Sequence, residues 1–99
     1  DNSVPAVIRD VARMRAAWLL IDAGTYEQVS AEVEAMATPR DAMRHSAREA
    51  LGLSAFKAGD MTKAREWFTQ TTEDAEAPRK VTSRAQMMRD TSKANGKEP

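Results

Sequence analysis

The residues best equipped for chemistry crowd into one short stretch, Arg44-His45-Ser46-Ala47-Arg48-Glu49. His45 is the single histidine of the chain. Glu49, four positions on, would share a helix face with it, and a carboxylate there could orient the imidazole. One histidine and one carboxylate fall short of a metal site, because zinc is ordinarily held by three or four ligands. An active site needs a fuller constellation of nucleophile, base or metal, and the commoner role of such a histidine is a surface or capping residue. The carboxylates Glu32 and Glu34, and Glu73, Asp74 and Glu76, fall on an exposed helix face and at a helix end and do not converge. There is no glycine-rich phosphate loop. The chain has no cysteine, which excludes thiol catalysis, thiolate metal sites and disulfides. The expectation is a non-catalytic protein that uses no cofactor and no metal.

The cations Arg79, Lys80, Arg84 and Arg89 are the other candidate site. Arg84 lies five residues from both Arg79 and Arg89, so the guanidinium groups drift around a helix and do not line one face. No aromatic residue is interleaved for base stacking, and nucleic acid is not an expected partner. The 15 basic and 15 acidic residues balance overall. They are unevenly placed, with nine basic and 13 acidic over residues 1–78 against six basic and two acidic over 79–99. A basic, solvated helix end accounts for that tail.

The elements that would position these groups are helical. A chain of 99 residues, 41% hydrophobic and 30% charged, suits one small soluble domain. A helix is expected over about 5–22, with Pro5 in its first turn and Val7, Val11, Met14, Trp18 and Ile21 as one apolar stripe. A second stripe, Ile8, Ala12, Ala16, Leu19 and Ala23, lies beside it, and Gly24 ends the helix. Thr25-x-x-Gln28 is a capping box for a second helix over 26–37, with Tyr26, Val29, Val33 and Met36 inward. Thr38-Pro39 closes it. A third helix, about 42–58, carries Ala47, Ala50, Leu51, Ser54 and Ala55 on its packing face. Gly59 and Asp60 supply a left-handed turn and a cap for a fourth, about 60–75, with Met61, Ala64 and Phe68 inward. A largely polar fifth spans 78–91 from Pro78. Residues 92–99 contain no apolar side chain larger than alanine and are expected to be disordered.

Leu51-Gly52, Gly59, Ala64 and Phe68 match the consensus spacing of a tetratricopeptide repeat. Gly52 would let the facing helix approach closely, and Phe68 would fill the gap between layers. The turns Gly24-Thr25 and Gly59-Asp60 lie 35 residues apart, which sets Ala17 opposite Gly52, Val29 opposite Ala64 and Val33 opposite Phe68. The expected fold is therefore all-α: two tetratricopeptide-like helical hairpins plus a C-terminal capping helix, a piece of right-handed α-solenoid over residues 1–91.

A wider pattern carries a family resemblance. Arg44 to Leu51, Ala55-Phe56-Lys57-Ala58-Gly59-Asp60, Ala64-Arg65-Glu66-Trp67-Phe68, Pro78 and Arg84-Ala85-Gln86, with Val11 to Ala17 in the first helix, resemble the C-terminal half of a bacterial envelope family. These are tetratricopeptide-like proteins related to the ancillary subunit of the Sec translocon, the YfgM-like family. The resemblance implies a periplasmic, protein-binding repeat region held at the inner membrane by an N-terminal span, with a cytoplasmic location as the alternative. The longest apolar run here, residues 16–21, is far shorter than the ~20 residues a span requires. The chain opens Asp1-Asn2-Ser3 without an initiating Met, a basic n-region or an apolar core, so an excised or processed product is expected, its anchor lying upstream.

In tetratricopeptide arrays the first helix of each repeat lines a concave surface. Carried over by register, that surface takes Val11, Met14, Trp18, Ile21 and Asp22 from the first repeat and Ser46, Glu49, Leu53, Phe56 and Lys57 from the second. Apolar side chains edged by Glu49 and Lys57 suit a helix or extended peptide of a protein partner. The competing expectation is a self-association module whose groove receives its own N-terminal helices or a second copy, as in a homodimer. Burying Val11, Met14, Trp18 and Ile21 is worth at most about 6–12 kcal/mol, so this face is expected to be covered by a second copy or by a terminal segment of the chain.

Overall fold

The computed structural model describes residues 5–96. Ser3, whose hydroxyl is of the type that caps a helix start, lies outside them. Five α-helices follow in order: α1 (Ala6–Ala23), α2 (Tyr26–Val33), α3 (Arg44–Lys57), α4 (Met61–Thr72) and α5 (Arg79–Gly96). A 3-10 turn, Glu34–Met36, extends α2, and no strand occurs among the described residues. The helices form a slab of 51 × 30 × 17 Å. Each packs chiefly on its next one or two neighbours in sequence: α1 on α2 and α3, α2 on α3, α3 on α4, and α5 on α4 with a smaller edge against α3.

Local chemistry explains the element ends. The Thr25 hydroxyl accepts the Gln28 amide, and the Gln28 side chain accepts the Thr25 amide in return, completing the capping box. Asp60 Oδ1 accepts the Lys63 amide at 3.0 Å and caps α4. Between α3 and α4 the chain reverses at Gly59, whose φ of 86° belongs to the left-handed region open to glycine. A Cβ at Gly59 would meet nothing within 4 Å, so the demand there is conformational.

Gly52 obeys a different constraint. A Cβ at this position would lie 2.7 Å from Phe68 Cζ and 2.8 Å from Cε1, so the bare backbone of α3 is what seats the ring of α4. In the first hairpin Ala17 and Val33 are both fully buried. Two apolar clusters result. The first joins Met14, Ala17, Val29, Val33, Met36, Ala47, Ala50 and Leu51; the second joins Ala55, Ala64, Phe68 and Ala85. Since α3 contributes to both, it is the shared wall of the domain.

Two expectations need correction. Residues 92–96, read as the start of a disordered tail, continue α5. Ser92 is fully buried and its hydroxyl donates to the Met88 carbonyl at 2.7 Å, while Gly96 lies close to Met61. Small residues here permit close approach to α4, a packing role that a search for large apolar side chains passes over. Residues 97–99 lie outside the described range. Asp74, read as an exposed helix-end residue, is largely buried, with its side chain 13% exposed.

Candidate functional site

The face shared by α1 and α3 carries the residues singled out for partner binding. On α3, Ser46, Glu49, Leu53, Phe56 and Lys57 recur at helical spacing along one side. Trp18 of α1 donates its indole N–H to the Ser46 hydroxyl at 3.3 Å. Lys57 Nζ donates to the Asp22 carbonyl at 2.7 Å and lies 3.3 Å from its carboxylate. From α5, Arg84 grips Glu49 with two parallel bonds of 2.8 and 3.1 Å. That pairing raises the Arg84 pKa above its ordinary value. Three cross-links thus join α1, α3 and α5 through residues of the expected groove.

The apolar members divide. Val11 and Trp18 keep 39% and 38% of their surface exposed, whereas Met14 falls to 7% and Ile21 packs beside it on the first cluster. Leu53 and Phe56 are half-buried against the second cluster. The expectation that Val11, Met14, Trp18 and Ile21 form one face left for a second copy or a terminal segment to cover is therefore corrected: Met14 and Ile21 pack with residues of α2 and α3. The open apolar surface of α1 runs along the neighbouring stripe, with Ile8 58% and Leu19 77% exposed, and takes in Val7, 65% exposed, from the start of the first stripe. Both stripes are visible in the sequence, but periodicity alone does not say which one the next hairpin takes.

His45 and Glu49 do not form a pair. Glu49 is engaged by Arg84, while His45 Nδ1 points toward Asp74 at 3.9 Å, beyond hydrogen-bond reach. Asp74 is instead the hub of an ion cluster. Arg44 Nε donates to its carboxylate at 2.7 Å and Arg48 Nη1 at 3.0 Å, both guanidinium groups being largely buried. Arg44 reaches Glu76 at 2.7 Å as well, and Arg48 Nε donates to the Ala37 carbonyl at 3.2 Å. The hydrogen bond from Arg44 is the main reason the Asp74 pKa falls far below the ordinary carboxylate range, and burial opposes it. The same bond raises the Arg44 pKa. The cluster ties the end of the first hairpin to both ends of the second. Sequence reasoning missed it because Asp74 follows the last turn of α4 and carries no periodic signal. Arg44 and Arg48, at i and i+4, were the available hint.

A second brace lies between α2 and α4. Trp67 donates its indole N–H to the Tyr26 hydroxyl at 2.9 Å, and Lys63 sits 4.6 Å above the Tyr26 ring. Burial raises the Tyr26 pKa. Among the described residues, no three side chains of His, Cys, Asp or Glu converge to hold a metal, and no helix is long and apolar enough to cross a membrane. No protein-family model, curated protein or solved structure matches the chain.

Proposed function

We propose that this protein is a non-catalytic scaffold for protein–protein contact, built of two tetratricopeptide-like hairpins, α1–α2 and α3–α4, and closed by α5. The repeat assignment is supported by the stepwise packing of neighbouring helices and by the equivalence of Ala17 with Val33 to Gly52 with Phe68. The observation that carries the binding role is the cross-linked face of α1, α3 and α5. There Trp18 stays 38% exposed although a groove residue, Ser46, fixes its indole, and Leu53 lies between Glu49 and Lys57 on α3. A rigid aromatic anchor with a charged rim suits an amphipathic helix or an extended peptide. The resemblance in residues 44–51, 55–60 and 64–68 supports a place among envelope proteins that assist translocation or chaperone networks, held at the periplasmic face of the inner membrane by an upstream anchor.

The test is site-specific photo-cross-linking in cells, with the reactive side chain at position 18 or 53 and at exposed position 66 of α4 as the control. The expected result is a discrete adduct with another protein from positions 18 and 53 that disappears in Lys57→Glu. Adducts only with a second copy would favour self-association. Equal labelling from position 66 would refute the groove.

A further inference from the structure

The two hairpin turns border a cavity of about 510 Å³, lined by Thr25 and Tyr26 from the first and by Asp60 and Lys63 from the second, with Ser54 of α3 in its wall. That size falls within the range of small-molecule sites, about 300–1,000 Å³. Both α2 and α4 begin here, capped by Thr25 and Asp60, so the electropositive ends of two helices meet at the cavity. Two side chains add to them. Ser54 is only 4% exposed, and its hydroxyl makes no hydrogen bond among the described residues. A helical serine often turns its hydroxyl back onto the carbonyl four residues earlier, as Ser92 does with Met88. Ser54 instead lines the cavity as a buried donor with no acceptor. Lys63 is half-buried, its ammonium stands 4.6 Å above the Tyr26 ring, and no carboxylate pairs with it among the described residues.

The other charged groups of the lining are already engaged. Lys57 is held by Asp22, Asp60 accepts the Lys63 amide, and Glu27 lies in the first turn of α2, where it balances the helix end. What remains unanswered is one ammonium and one hydroxyl donor. Their match is a singly charged oxygen acceptor, since a dianion would meet stronger repulsion from Glu27 and Asp60. We propose that this cavity binds a small molecule through a carboxylate group, received by the Ser54 hydroxyl and the Lys63 ammonium, with Ile21 and the Tyr26 ring beside its apolar part. The cavity shares Ile21 and Lys57 with the protein-binding groove, whereas Tyr26, Ser54 and Lys63 lie outside that groove. It is a second site, and it does not rest on the scaffold reading.

The experiment titrates the isotope-labelled chain with sodium propionate, followed by amide chemical shifts, with sodium chloride holding the ionic strength fixed. Saturable shifts gathered at residues 25–27, 54 and 60–63 are expected. Ser54→Ala and Lys63→Gln should each weaken binding about tenfold at unchanged helicity, the scale of losing one hydrogen bond to a charged group. Sodium phosphate should bind more weakly than propionate. Trp18→Ala, which removes the anchor of the groove, should leave propionate binding unchanged, so the outcome is separate from the fate of the groove. The proposal is overturned by an absence of saturable shifts or by affinity that survives both cavity substitutions. A preference for phosphate or for propylamine, or a loss of binding on Trp18→Ala, would overturn it as well.

Discussion

Gly52→Ala is a perturbation whose sign separates two views of α3. In an exposed helix interior, replacing glycine by alanine stabilises by about 0.8–1.0 kcal/mol, because alanine loses less conformational freedom on folding. At position 52 the new methyl would sit 2.7, 2.8 and 3.0 Å from three carbons of the Phe68 ring, all closer than ordinary carbon contacts. The ring is fully enclosed, so it has no empty space to enter, and α4 must shift outward. Overpacking of this kind costs about 1–3 kcal/mol, which outweighs the helical gain or at least cancels it. A net loss of about 0–2 kcal/mol is expected, and Gly52→Leu should lose more. In a domain of this size 1 kcal/mol moves Tm by about 4–8 °C, within easy reach of thermal denaturation followed by circular dichroism. Trimming the ring with Phe68→Leu should make the added methyl tolerable, so the double variant should be more stable than the two single losses would add up to. A rise in Tm on Gly52→Ala alone would refute the close α3–α4 approach.

Other outcomes follow from the same contacts. Gly59→Ala meets no neighbouring atom, yet forces a Cβ into the left-handed region and should cost about 1–2 kcal/mol in chemical denaturation. Asp74 is held below its ordinary pKa in the folded chain, so its contribution is intact above the unfolded range near about 3.9 and is lost as pH falls below it. Asp74→Asn should therefore lower Tm at neutral pH and flatten its decline on acidification, measured by melts between pH 6 and 2. A chain ending at position 91 should melt at lower temperature than the full chain, because the buried Ser92 is removed from the α4 surface.

What the sequence revealed depended on whether a residue announces itself locally. Thr25 with Gln28, and Asp60 after Gly59, act through amides within three residues, so caps and turns could be read from spacing. Gly52 and Phe68 were legible because the tetratricopeptide consensus spacing, to which the sequence was matched, links positions 16 apart. The Arg44–Asp74 cluster joins residues 30 apart through a segment with no period, and its partners could not be named in advance. Among the groove residues, the register put Trp18, Ser46, Asp22 and Lys57 on one face without naming the Trp18–Ser46 and Asp22–Lys57 contacts, and it assigned Met14 to that face when packing had taken it. Ser92 was overlooked for the opposite reason: its smallness is what packs.

The chain-neighbour pattern of packing has a kinetic consequence. Because each helix rests chiefly on the next one or two, loops closed during folding are short and the entropy of closing them is modest. Domains of such low contact order typically fold in microseconds to milliseconds. The central helix α3 borders both clusters, so structure can begin at either hairpin and spread through it. Loosening is expected to begin at α1, which packs less extensively on its neighbours than α5 does on α4. Opening the α1 end would free Trp18 from Ser46 while Gly52 and Phe68, held between α3 and α4, stay packed together. The molecule can loosen where partners are expected to arrive without losing its centre.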